Sequence, residues 1–287
     1  MKRILLCLIC IFSLLGSKAQ SYNELVEKAM DYTFKDSLQQ AEELFREALR
    51  LDPYNARNAL LFSNLGTVLK RQGKIDEAID SYTMALNITP YATAILLNRA
   101  TLYMEKNLTE KAYLDYCNVI DLLPNDKEAR LFRAYIYMKR RQYKEARIDY
   151  NVILGLDAKH KAARLGLAML DQKEGRYIAA RDGMNLLIED YPKDASLYKM
   201  RANLELEQNL PDAALLDLEE ALKLDARDAD THVMMGDIYL QMEKKHEARE
   251  AYEKAVSLGV PRMELMEKLK KCKWLKNNNL SVCKNFA

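Results

Sequence analysis

Small residues recur along this chain with a fixed spacing of 34, and that period limits the fold more than any other feature. Gly66, Ala100, Ala134, Ala168, Ala202 and Gly236 form one series, and Ala78, Ala112, Ala146, Ala180, Ala214 and Ala248 a second. Two more run Tyr82, Tyr116, Tyr150, Met184, Leu218, Tyr252 and Ala85, Val119, Ile153, Leu187, Ala221, Ala255. Pro90, Pro124 and Pro192 close three units at the same phase. An earlier unit carries Ala29, Ala41, Phe45, Ala48 and Pro53 at an offset of 37, so three extra residues follow it. Seven units result: 22–55, 59–92, 93–126, 127–160, 161–194, 195–228 and 229–262.

Each unit has room for two helical stretches of about thirteen residues. The chain is rich in Ala, Leu, Glu, Lys and Arg, which lose little rotamer freedom in a helix, and holds only 9 Gly and 6 Pro. Position 15 falls between the two stretches. It is Asp36, Gly73, Asn107, Gly175 or Asn209 in five units, residues that tolerate the left-handed backbone of a tight turn. A helix pair of this size cannot bury its apolar face alone, so neighbouring pairs must stack.

The pattern resembles the tetratricopeptide repeat family over residues 22–262. Gly66, Leu69, Ala78, Tyr82, Ala85 and Pro90 of the second unit carry it best. Departures are local. Position 4 is Phe62, Leu96, Arg130, Arg164, Tyr198 or His232, and position 32 is Ala158, Ala226 or Val260 in three units. The resemblance implies an all-α fold: a right-handed superhelical solenoid of antiparallel helix pairs, whose first helices line a concave groove through positions 2, 5, 9 and 12. Carried over by position, Leu97, Thr101, Met104, Leu131, Tyr135, Met138, Leu165 and Met169 would form an apolar, methionine-rich groove for a peptide or protein segment. Flanking units place Ser63, Thr67, Lys70, Lys199, Asn203 and Asp237 at equivalent positions. Family members that grip a C-terminal carboxylate do so with Lys at 5 and Asn at 9 of one repeat and Asn at 6 of the next. Lys199 and Asn203 match the first half, but Met234 stands where the second Asn is needed, so that clamp is incomplete.

Charge separates into structural and available parts. Position 7 is Arg99, Arg133 and Arg201 in three units, and position 23 of the same units is Asp115, Asp149 and Asp217. Elsewhere position 7 is Lys28, Leu65, Leu167 or Met235, and position 23 is Leu44, Ser81, Gly183 or Ala251. Arg and Asp occur together or not at all, which predicts three ion pairs bridging the two helices of a unit.

The N-terminus has a different composition. Lys2 and Arg3 precede an apolar stretch from Ile4 to Leu15, and Ser17 and Ala19 offer small residues for cleavage. That order is a secretory signal peptide, cleaved after Ala19, and its apolar run is shorter than the roughly 20 residues of a spanning helix. Removing residues 1–19 leaves 41 basic against 42 acidic residues, a balance that argues against a nucleic-acid partner. Export permits disulfides, and Cys272 and Cys283 are the pair expected to staple the end of the chain if one forms; two free thiols are the alternative.

Residues 263–277 read as a capping helix, with Met263, Met266, Leu269 and Leu275 on one side, followed by a mobile tail at 278–287. Residues 262–287 hold seven Lys or Arg against two Glu, and membrane contact is expected only through this basic end, if at all. His160, His232 and His246 lie in different units without metal-ligand spacing, and the chain has neither a phosphate-cradling glycine loop nor a nucleophile elbow. The expectation is therefore a non-catalytic scaffold in the periplasm or cell envelope, without metal or cofactor, that binds a protein or peptide partner. The alternatives are a membrane-anchored module that keeps its N-terminus and an accessory subunit of an envelope enzyme complex.

Overall fold

A computed structural model of the chain describes residues 21–272. The leader at 1–19, residues 273–277 of the expected capping helix, Cys283 and the tail at 278–287 lie outside the described residues. Fifteen helices and no strands are found among the described residues. They are α1 (21–34), α2 (Leu38–Leu51), α3 (Asn58–Arg71), α4 (Ile75–Ile88), α5 (Thr93–Glu105), α6 (Thr109–Leu122), α7 (Lys127–Lys139) and α8 (Tyr143–Leu156). After these come α9 (Lys161–Lys173), α10 (Tyr177–Asp190), α11 (Ala195–Glu207), α12 (Pro211–Leu224), α13 (Ala229–Gln241), α14 (Lys245–Ser257) and α15 (Met266–Lys271). The chain divides between Ala158 and Lys159 into two compact units, α1–α8 and α9–α15.

One turn serves all seven helix pairs. Position 15 has a positive φ every time: Asp36, Gly73, Asn107, Arg141, Gly175, Asn209 and Glu243. The amide that follows position 15 bonds back to a carbonyl five residues earlier, as in Leu108 N–H to Tyr103 O at 2.8 Å and Gln142 N–H to Tyr137 O at 2.9 Å. This satisfies carbonyls that a helix end leaves without partners and reverses the chain within three residues. Arg141 and Glu243 gain no help from their side chains in this conformation, which costs an ordinary L-residue about 1–2 kcal/mol. The turn is thus imposed by packing of the flanking helices, not by residue preference alone.

The first unit packs a continuous core along α1–α7, with Phe45, Tyr82 and Tyr116 fully enclosed. Burying an aromatic or leucine side chain contributes about 1.5–3 kcal/mol, so these periodic positions dominate the stability of each pair. The three extra residues after α2 are tied down by polar groups. Buried Asn58 accepts a hydrogen bond from the Tyr22 hydroxyl at 2.9 Å and donates to the Asp52 carbonyl at 2.8 Å, fastening α1, the longer connection and α3 together.

In the second unit, α9–α11 enclose Met184 and Leu187, and α11–α14 enclose Leu218 and Ile238. The connections before α9, α11 and α13 are stopped by a side-chain cap: His160 accepts from Ala163 N–H, Asp194 from Ser196 N–H, and Asp228 from Thr231 N–H. Each satisfies an amide at the start of a helix, and His160 fills with an imidazole nitrogen the place where Asp stands in the later pairs. The last element is shorter at its start than the sequence suggested: residues 262–265 form turns, and α15 begins at Met266 instead of Met263. Leu265 seals the end of the core beside Tyr252 and Cys272, while Met263 is 74% exposed.

Candidate functional site

The three Arg–Asp pairs are made, and each is a two-bond fork between the first and second helix of a pair. Arg99 donates to Asp115 through Nε at 2.9 Å and a terminal nitrogen at 2.8 Å. Arg133 makes the same two bonds to Asp149 at 2.8 Å, and Arg201 to Asp217 at 2.7 and 2.6 Å. All three carboxylates are buried, so the residues are structural and are not offered to a ligand. Asp149 and Asp217 hold the Arg133 and Arg201 guanidiniums further above their ordinary pKa.

Each arginine also has a third contact that the sequence reading did not anticipate. The remaining nitrogen reaches position 25 of the preceding pair: Thr83 Oγ1 at 3.0 Å from Arg99, Cys117 Sγ at 3.7 Å from Arg133 and Asn185 Oδ1 at 2.8 Å from Arg201. The arginine therefore ties helix to helix within a pair and pair to pair along the stack. Thr, Cys and Asn share an acceptor atom but no shape, which hides the position from a search for recurring residues.

The tyrosines at position 24 organise the face formed by the first helices. In the second and seventh pairs a Cβ on Gly66 or Gly236 would lie 2.9 Å from the Tyr82 ring or 2.4 Å from the Tyr252 ring, so glycine makes room for the aromatic. The hydroxyl then emerges at position 9. Tyr82 Oη lies 3.0 Å from Thr67 Oγ1, and Tyr252 Oη donates to Asp237 at 2.7 Å. In the fourth pair, burial pushes the Tyr150 hydroxyl up to about 12.

The residues expected to line a groove lie in both units. On α5 and α7 of the first, Leu97, Met104, Leu131 and Met138 are half-buried, and Leu97 and Met104 rest against the core. Thr101 is half-buried and donates to the Leu97 carbonyl at 3.0 Å. Tyr135 is 46% exposed, and the Lys139 ammonium sits 4.9 Å from its ring centroid. In the second unit Leu165 is half-buried and Met169 is 43% exposed. Met169 borders a cavity of about 540 Å³ between α9 and α11, which no periodic signal had marked.

Other expectations are placed by their contacts. Lys199 is 2.6 Å from Asp228, so its charge is neutralised within the protein and the partial carboxylate clamp has no free cation there. Cys272 is buried and its thiol donates to the Lys268 carbonyl at 3.3 Å; its expected pairing with Cys283 falls outside the described residues. Burial raises its pKa and keeps it protonated, which makes it a poor partner for exchange. Among the described residues no cluster of three or more His, Cys, Asp or Glu could hold a metal, and no helix is long and apolar enough to cross a membrane.

Stacked helix pairs with internal ion-pair forks and an open first-helix face define a helical repeat protein. Residues 19–90 and 229–258 match models of the tetratricopeptide repeat. A crystal structure of a tetratricopeptide repeat protein from Parabacteroides merdae ATCC 43184 is 37% identical, with a TM-score of 0.72 over 88% of this chain and 99% of that one. This chain belongs to the tetratricopeptide repeat family. The Pseudomonas aeruginosa pilF structure shares the fold at 19% identity, with a TM-score of 0.55 over 73% of this chain and 94% of that one. Among curated proteins, DnaJ homolog subfamily C member 7 of Homo sapiens is 40% identical over 73 residues, 25% of this chain and 15% of that protein. The chain thus spans only a small part of the curated relatives it matches. Tetratricopeptide repeat proteins act as protein-interaction scaffolds, and no catalytic family is among the matches described here.

Proposed function

We propose that this protein is an exported, non-catalytic scaffold of the bacterial cell envelope that holds a peptide or protein segment against α5 and α7. The observation that carries the reading is the apolar face around Tyr135. Its ring is 46% exposed, and Leu97, Met104, Leu131 and Met138 around it in the pattern are half-buried. Equivalent positions on α3 are Ser63, Thr67 and Lys70, so the apolar character of α5 and α7 is not common to every pair. Exposed apolar area concentrated in this way supports docking, and thioether side chains adapt to an irregular partner. The leader pattern at 1–19 supports export.

Affinity capture from envelope extracts tests the binding site, with a Leu131→Asp, Tyr135→Asp variant as control. The variant should keep its helical circular-dichroism signal and lose the partner. Retention of the partner at unchanged affinity refutes the site. N-terminal sequencing of the mature protein tests export: Gln20 as first residue supports a cleaved leader, and Met1 supports the anchored alternative.

A further inference from the structure

The cavity between α9 and α11 is bordered by Met184, which is the first of two successive position-24 residues that are not aromatic. Position 24 is Phe45, Tyr82, Tyr116, Tyr150 and Tyr252 in five pairs, Met184 in the fifth and Leu218 in the sixth. In the second and seventh pairs the ring packs on position 8 and its hydroxyl meets position 9. In the fifth pair positions 8 and 9 are Ala168 and Met169, and both line the cavity together with Met184. Met200, Asn203 and Leu206 of α11 form the opposite wall. The space is about 540 Å³, whereas an apolar cavity of roughly 150 Å³ is enough to take up benzene.

We propose that this cavity receives an aromatic side chain from a bound peptide, of the kind that the chain itself supplies at position 24 of five other pairs. Three thioethers surround the space, and sulfur makes favourable contacts with aromatic rings. Asn203 and Gln172 provide amides for the phenol or indole tip and the peptide backbone. Charge on the rim narrows the ligand further. Lys173 on α9 and Glu207 on α11 are both exposed and have no ion-pair partner among the described residues. They complement an acidic residue on one side of the aromatic and a basic residue on the other. The inference rests on the reading of the chain as a peptide-binding scaffold, but its site is built from residues of the second unit and not from α5 and α7.

The test uses the full chain with methyl-13C methionine and two probe peptides, acetyl-Asp-Trp-Lys-amide and acetyl-Asp-Leu-Lys-amide. The tryptophan peptide should produce saturable ring-current shifts at the methyls of Met169, Met184 and Met200. It should bind about two- to ten-fold more tightly than the leucine peptide, the range expected for sulfur–aromatic contact. Met184→Tyr fills the space with the chain's own ring and should abolish the shifts at Met169 and Met200. Met169→Lys, at an exposed wall position, should weaken binding without disturbing the core. Absent saturable shifts, equal affinity for the two peptides, or undiminished binding by a folded Met184→Tyr or Met169→Lys protein would overturn the assignment. The probes report on the cavity without any natural partner, so this outcome is independent of capture at Tyr135.

Discussion

Replacing Arg99 and Asp115 by leucine, singly and together, measures how much the internal forks contribute. The pair is well enclosed, with side-chain exposures of 17% for the arginine and 4% for the aspartate. Arg99→Leu strands a buried carboxylate, and Asp115→Leu strands a guanidinium that is mostly out of water. Removing one partner of a buried pair costs about 3–5 kcal/mol, and the modest opening at Arg99 puts the expectation near 3 kcal/mol for either single variant. The Thr83 hydroxyl loses the arginine but keeps its own hydrogen bond to the Ile79 carbonyl at 2.8 Å, so it adds little. The double variant leaves no charge behind and should lie within about 1 kcal/mol of the parent, because well-packed apolar residues replace buried ion pairs at little loss. The coupling is then about 5 kcal/mol, read by urea unfolding, and each single variant should lower Tm by on the order of 10 °C. The equivalent cycle at Arg133 and Asp149 should be asymmetric. Arg130 also donates to Asp149, at 2.6 Å, so Arg133→Leu leaves the carboxylate one cation whereas Asp149→Leu strands two. Coupling below about 0.5 kcal/mol at Arg99–Asp115, the usual scatter of additivity for independent sites, or equal penalties at Arg133 and Asp149 would refute this account.

Arg141→Gly and Glu243→Gly should each stabilise the fold, by up to about 1 kcal/mol in thermal or urea unfolding, because a left-handed turn is relieved of its Cβ while the more flexible unfolded chain takes back part of the gain. Gly236→Ala should destabilise despite alanine's helix preference of about 1 kcal/mol, because its Cβ meets a fully buried Tyr252 ring that a hydrogen bond to Asp237 holds in place, and overpacking costs about 1–3 kcal/mol. A more stable Gly236→Ala protein in calorimetry would contradict that packing. Burial, then the Lys254 charge, lower the His232 pKa. The folded state therefore binds this proton less readily than the unfolded chain does, and its contribution to stability is present above the ordinary histidine value near 6.5 and lost as pH falls through it. His232→Phe should flatten the decline of Tm between neutral and mildly acidic pH, and an unchanged slope would exclude His232 as its source.

Much of the architecture was legible because helix pairing is periodic and local. Small residues at positions 8 and 20 recur where two helices approach closely, and the joint appearance of Arg and Asp at 7 and 23 follows from the cost of burying either alone. The candidate surface was less legible. Leu131 and Tyr135 are both apolar letters in the sequence, yet one is half-buried and the other 46% exposed, a difference set by how neighbouring helices pack. The groove assignment also came from position alone, whereas the cavity beside Met169 is visible only in how α9 and α11 pack.

By itself, then, the sequence determined the period, the helix pairs, the three ion pairs and the place of the longer connection at residues 52–57. Those features depend on residue size, charge and turn preference repeated at fixed spacing. Only the tertiary structure decided that Arg141 and Glu243 share the left-handed turn of glycine and asparagine, that each fork arginine reaches Thr83, Cys117 or Asn185 of the preceding pair, and that Met184 borders an open space. The reason is the same in each case: these outcomes are fixed by surrounding helices, which can override a residue's own preference, accept any hydrogen-bond acceptor of the right reach, or leave a space between them unfilled.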